Sequence, residues 1–174
     1  MKLLSWNCQG LVNPWIGRSL HNIAREQVPN VCFLMETRLD REGFDRLYGE
    51  LPYPHKIIVK KLDTGGRLAL IWKEGVVLDL INYTDNHILV KVKEEDGLEW
   101  WLACFYGWPE ANLKYKSWEL LEHLKTFVGD LGCALVILMQ SFSLQKSSVK
   151  DRLKRAKLML SGFLGGLLVG GLGV

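Results

Sequence analysis

Two short apolar runs bracket an amphipathic stretch in residues 1–35, and this pattern constrains the fold more than anything else in the chain. Lys2-Leu3-Leu4 leads into Ser5-Trp6-Asn7-Cys8-Gln9-Gly10, a strand end that delivers an amide, a small residue and a glycine. Asn13-Pro14 then supplies a cap and a first helical residue, and Trp15, Ile16, Leu20 and Ile23 fall on one helical face as far as Gln27, before Pro29 stops the helix. Val31-Cys32-Phe33-Leu34-Met35 is continuously apolar, as a strand covered on both faces must be, and Glu36 stands at its end. Two strands joined by one crossover helix lie parallel with a right-handed connection, so their carboxyl ends open on the same edge. Asn7 and Glu36 are therefore expected as neighbours.

Asp40 to Leu51 reads as a short helix with Phe44, Leu47, Tyr48 and Leu51 inward, closed by Pro52-Tyr53-Pro54. From His55 onward the pattern shortens to β segments: Lys56–Val59, Leu68–Trp72, Val76–Tyr83, His87–Val92 and Glu99–Tyr106. Polar turn residues between the third and fourth of these predict an antiparallel hairpin. Lys114 to Phe127 returns to helical period, with Tyr115, Trp118, Leu121, Leu124 and Phe127 on one stripe, and Ala134–Ile137 is a further strand. A parallel start followed by an antiparallel run implies a mixed α/β sheet covered by helices.

With 174 residues, 48% of them hydrophobic, the chain can bury one sizeable core. A net charge of +3 permits a nucleic-acid partner without arguing for one, since Lys and Arg (22) barely exceed Asp and Glu (19). Cys8, Cys32, Cys104 and Cys133 are widely spaced, without metal-ligand or disulfide spacing, and read as reduced core thiols of an intracellular protein. Met1-Lys2-Leu3-Leu4 meets Trp6 and Asn7 too soon to form a secretory leader.

A carboxylate beside an amide at a sheet rim suits a hard cation such as magnesium, which prefers oxygen ligands and keeps waters for a phosphate to displace. Glu36 alone reads more readily as a solvated strand end, and it is the combination with Asn7 that brings the metal reading level with it. Tyr106, closing the last β run before Gly107-Trp108-Pro109, is either a packed strand-end ring or a phenol placed to meet a phosphate oxygen. Gln9 and Arg38 lie one or two residues past the metal pair, as phosphate contacts or as exposed rim residues. Trp15 and Trp108 read as base-stacking or loop-anchoring rings, and His87, opening a strand, reads as structural.

Three blocks carry a resemblance to a known family: Leu4-Ser5-Trp6-Asn7-Cys8-Gln9-Gly10, Phe33-Leu34-Met35-Glu36-Thr37-Arg38 and Phe105-Tyr106-Gly107-Trp108-Pro109-Glu110. Gly65 to Lys73 matches more loosely. The chain resembles the endonuclease/exonuclease/phosphatase superfamily, most closely the apurinic-endonuclease-like domain that opens the polyprotein of plant LINE-type retrotransposons. The resemblance implies a four-layer α/β/β/α sandwich of DNase I-like type, incomplete at its C-terminus. It also implies magnesium or manganese held by Asn7 and Glu36, Tyr106 and Glu36 as catalytic residues, and Gln9 and Arg38 near the substrate. DNA is the implied partner and the nucleus the implied location.

The resemblance covers residues 1 to roughly 135 and then breaks. Where the family has a strand ending in Gly-Asp-Phe-Asn, this chain reads Leu138-Met139-Gln140-Ser141-Phe142, without a carboxylate. Back-translating Val136 to Phe142 as GTG ATT TTA ATG CAA TCC TTT and shifting one frame, with a G ending the Leu135 codon, gives Gly-Asp-Phe-Asn-Ala-Ile-Leu. A local frameshift, in an element decaying after insertion or in a gene model drawn across a damaged copy, accounts for that match, and a truncated, catalytically impaired domain is the consequence.

The expected organisation is thus a partial domain over 1–145 and a degenerate tail over 146–174. The tail is basic at Lys150, Arg152, Lys154, Arg155 and Lys157, then uncharged and Gly-rich from Leu158 to Val174. That last segment reaches ~26 Å as a helix against a hydrocarbon core of ~30 Å, so a membrane tail anchor is one alternative. A non-catalytic nucleic-acid-binding remnant using Arg38, Lys60, Lys61 and the 150–157 cluster is another. If the sheets lack their last strands, an exposed edge and poor solubility are expected.

Overall fold

The computed structural model describes residues 1–61, 65–108, 111–128, 135–138 and 143–146. The opening unit folds as its sequence requires. Strand β1 (Lys2–Asn7) pairs in parallel with β2 (Val31–Met35), Asn7 opposite Met35, and α1 (Pro14–Gln27) crosses between them. Asn13 caps α1 by accepting from the Trp15 N–H at 3.0 Å, with Pro14 at the first helical position, and the helix ends where Val28 turns left-handed at φ +48°. Helix α2 (Arg41–Tyr48) is capped by Asp40, whose Oδ1 accepts from the Gly43 N–H at 2.8 Å.

Next come β3 (His55–Lys61), β4 (Gly65–Trp72), β5 (Val77–Thr84), β6 (His87–Lys93) and β7 (Glu99–Phe105). Helix α3 (Lys114–Val128), β8 (Leu135–Leu138) and β9 (Ser143–Lys146) complete the order. One sheet is ordered β3-β4-β2-β1-β9, the other β5-β6-β7-β8. The expected hairpin is β5–β6, with Thr84 opposite His87, and β8 lies parallel to β7. Strand β9 was not expected. It runs antiparallel along β1, Leu4 opposite Leu144, and covers the outer edge of that strand.

Period-two alternation sorts the side chains into layers. Leu3, Phe33, Met35 and Leu70 point between the sheets and meet Val90, Leu102 and Tyr106 of the second sheet. Leu4, Cys32, Leu34 and Ile71 point the other way, onto Leu20 and Ala24 of α1 and Phe44 and Tyr48 of α2. Leu89 and Ala103 pack on Leu124 of α3. The result is the expected α/β/β/α sandwich, with one core between the sheets and one under each helical layer.

Within the helices the inward faces differ from those expected. Trp15, expected inward, is 74% exposed because the buried line of α1 runs through Gly17, Leu20 and Ala24. Leu47 is exposed beside the buried Phe44 and Tyr48, since the buried line of this eight-residue helix runs through Gly43, Phe44 and Tyr48. Tyr115 and Trp118 are also exposed, because the contact of α3 is made by Leu120 and Leu124. Cys8, Cys32 and Cys104 are buried free thiols as expected, while Cys133 lies outside the described residues. Burial pushes the Cys32 thiol up to about 12 and raises those of Cys8 and Cys104 further, so all three are held protonated and unreactive. The expectations placed on 139–142 and on the tail from 147 onward lie outside the described residues. Among the described residues, no helix is long and apolar enough to cross a membrane.

Candidate functional site

Glu36 comes directly after β2, and Asn7 ends the neighbouring β1. The Asn7 amide donates from Nδ2 to Glu36 Oε1 at 2.8 Å. Tyr106, one residue past β7 in the opposite sheet, donates its hydroxyl to the same oxygen at 2.7 Å. Three residues from three strand ends and two sheets thus share a single carboxylate oxygen. Two donors on Oε1 orient the carboxylate, and among the described residues none donates to Oε2.

The backbone beneath this cluster is strained. Gln9, Glu36 and Arg38 adopt φ of +52°, +54° and +56°, a conformation that costs a non-glycine residue ~1–2 kcal/mol. Two main-chain bonds zip the two strained loops together: Cys8 N–H donates to Met35 O and Leu11 N–H to Thr37 O, both at 2.9 Å. Gly10, at φ +107°, leaves the space where a Cβ would stand to the Arg38 side chain, whose Cδ lies 3.3 Å from that position. The stem of Arg38 is thereby seated while the residue as a whole stays exposed, and Gln9 is exposed beside it. Both strand-following residues thus flank the Asn7–Glu36 pair at the rim.

Tyr106 is held by a residue the sequence reading passed over as a turn. Buried Asn86 donates from Nδ2 to Tyr106 O at 2.9 Å and accepts the Tyr106 N–H on its own carbonyl at 2.7 Å. The signal available was an amide residue at the end of a hairpin turn, a place where Asn pairs with nearby backbone. His87 is structural, as expected: its ring joins Thr84 Oγ1 at 2.9 Å and Asn82 Oδ1 at 2.7 Å. Burial, reinforced by His123, lowers its pKa to about 4, so it is neutral at pH 7. The main chain at Trp108 is tied down, its backbone N–H donating to Ser117 Oγ at 3.1 Å, whereas the Trp15 side chain lies open with the Arg18 guanidinium 5.4 Å above its ring.

Among the described residues no three His, Cys, Asp or Glu side chains cluster as a metal cage. The donors present still suit one hard cation: the Oε2 atom of Glu36 and the Asn7 Oδ1, which among the described residues accepts only the Gln9 N–H at 3.2 Å and keeps a second lone pair. Magnesium is held in this way by one or two carboxylates, with water and substrate phosphate completing its shell.

Comparison of the whole backbone with solved structures decides the architecture. The catalytic domain of human Nocturnin, solved with a bound sulfate anion, matches 80% of this chain and 63% of its own, with a TM-score of 0.59 at 16% identity. The 3′-5′ exonuclease NExo from Neisseria meningitidis matches 80% of this chain and 57% of its own (TM-score 0.56, 17% identity). An endonuclease/exonuclease/phosphatase family protein from Bacteroides thetaiotaomicron matches 80% and 61% (TM-score 0.61, 12% identity). The chain has the endonuclease/exonuclease/phosphatase fold. It spans less than two thirds of the length of each of these three proteins. No protein-family model and no curated protein matches it by sequence.

Proposed function

We propose that this chain is an endonuclease-type phosphodiesterase domain of LINE-retrotransposon origin, built to nick DNA with magnesium or manganese, and that its catalysis is now impaired. The single observation that carries the reading is the convergence of Asn7 and Tyr106 on Glu36 Oε1. The endonuclease/exonuclease/phosphatase fold supports the chemistry class, and the Neisseria protein of that fold has been solved, as a 3′ phosphatase, with a product DNA hairpin.

In this reading Asn7 and Glu36 would hold the cation, which when bound polarises a phosphoryl oxygen and offsets the charge that develops there. Asn7 fixes the carboxylate rotamer, and the Tyr106 hydroxyl donates to Glu36 until a phosphate oxygen competes as acceptor. Arg38 and Gln9, at the exposed rim, are the phosphate contacts.

Impairment is inferred from the residues immediately after β8. That strand runs parallel to β7 with Leu138 opposite Cys104, so its carboxyl end opens on the edge where Tyr106 stands. The resembled family places its Asp and Asn in that block, and this chain offers Met139, Gln140 and Ser141 instead. General-base catalysis is worth ~10²–10⁴-fold, and members of one site fail together. Nicking of supercoiled plasmid in magnesium should therefore stay near background, and robust turnover abolished by Glu36→Ala would overturn the impairment. A Leu138 codon other than TTA would remove the frameshift explanation. A nuclear location accompanies the reading.

Binding without cleavage is a second reading, favoured by the exposed Arg38 and Lys60. It would appear as salt-dependent DNA binding that needs no magnesium.

A further inference from the structure

Two strands away from the Glu36 cluster the sandwich opens into a groove of about 500 Å³ that the phosphodiesterase chemistry leaves unused, lined by Arg41, Glu42, Lys60, Tyr83 and Asp85. Its place is fixed by the register. Val59 pairs with Leu68, and Leu68 with Met35, so Val59, two residues before the end of β3, lies two strand spacings from the end of β2, ~10 Å away on the same edge. In the second sheet Thr84 pairs with His87, and His87 with Phe105, which puts the end of β5 two spacings from the residue preceding Tyr106. The groove therefore runs between the two edge strands, β3 and β5, and is level with the Glu36–Tyr106 pair. Arg38 and Arg41 lie on the segment leaving Glu36, so cations mark the way between the two places.

The lining is mixed. Tyr83 is 56% exposed and offers a ring, Arg41 and Lys60 offer positive charge, and Glu42 and Asp85 offer carboxylates. Among the described residues no ion pair joins either cation to either carboxylate, so these charges are not spent on one another. A phosphate alone has no use for the two acids, and an apolar ligand has none for the four charges. A nucleotide uses all of them: a π-face to stack, ring or exocyclic N–H groups to donate to carboxylates, and a phosphate for the cations.

We propose that the groove is a subsite for one unpaired nucleotide of the strand whose phosphodiester lies at Glu36. Tyr83 stacks on the base, Asp85 and Glu42 accept its N–H groups, and Arg41 and Lys60 hold its phosphate. Stacking needs a base released from its pair, so the subsite selects single-stranded or frayed DNA. This rests on the nucleic-acid reading of the site.

The test measures fluorescence anisotropy of the full chain with a labelled oligodeoxycytidine and with an abasic oligonucleotide of equal length, which keeps the phosphates and lacks the bases. Base stacking is worth ~1–3 kcal/mol, so the base-bearing strand should bind roughly 5- to 150-fold more tightly. Tyr83→Ala should erase that difference, Tyr83→Phe should keep it, and Lys60→Ala should weaken both oligonucleotides alike. Equal binding of the two oligonucleotides by the native chain, or a base preference that survives Tyr83→Ala, would overturn the proposal. If cytidine preference fails while a Glu36-dependent manganese site persists, the groove assignment alone is lost. If base preference holds and the manganese site is absent, the metal reading fails instead.

Discussion

The Tyr106 hydroxyl and the Glu36 carboxylate, 70 residues apart along the chain, lie 2.7 Å from one another. The bond joins the edges of two separate sheets, so it reports how those sheets sit across their shared core as well as how the site is set.

Tyr106→Phe removes the donor to Glu36 while the ring stays in the core between the sheets. A hydrogen bond to a charged group contributes about 1.5–3 kcal/mol, and a loss of that order is expected in urea unfolding at neutral pH. Unchanged stability would mean that solvent replaces the phenol without cost.

Gly17→Ala should destabilise the fold although alanine is the better helix former by ~1 kcal/mol. An added Cβ would stand 2.5 Å from the Tyr48 hydroxyl oxygen, whose proton is donated to Leu11 O at 2.5 Å. Overpacking of this kind typically costs ~1–3 kcal/mol, and loosening of Tyr48 also releases the loop beyond Gly10. Thermal unfolding of the variant should show a lowered midpoint; a raised one would place Tyr48 elsewhere.

His87 gives the stability a pH dependence with a definite sign. Its folded pKa of about 4 lies below the unfolded value near 6.5, so the unfolded chain binds the extra proton. The contribution, roughly 3 kcal/mol, is complete above pH ~6.5 and is lost as pH falls towards 4. The urea midpoint of the native chain, measured from pH 7 down to 4, should fall more steeply than that of His87→Gln, which lacks the titrating group. Parallel curves would show that His87 titrates normally.

Much of the frame was legible because a β-α-β unit leaves little choice. Once Val31–Met35 is a doubly covered strand and α1 a single crossover, Asn7 must arrive beside Glu36, and it does. Periodicity could not bring in Tyr106, because no local pattern says which residue of one sheet meets which residue of another; only the family resemblance pointed there. Nor did any residue type announce the positive φ of Glu36, which glycine or asparagine would have signalled. Trp15, Leu47 and Tyr115 misled for one reason: a single stripe was assumed to be wholly buried, whereas each helix touches its sheet along two or three residues. Strand β9 was missed because Ser143-Leu144-Gln145-Lys146 is short and half polar and is defined by its pairing with β1.

The central claim is that Glu36, set by Asn7 and Tyr106, holds a divalent cation at the sheet edge. Titration of the full chain with manganese, monitored by electron paramagnetic resonance of the free ion, tests it most directly and does not depend on residual catalysis. The account predicts one site whose affinity falls at least ~10-fold in Glu36→Gln and is unaffected by Lys93→Ala at the far edge of the sheet. Equal manganese binding by the native chain and by Glu36→Gln would contradict it.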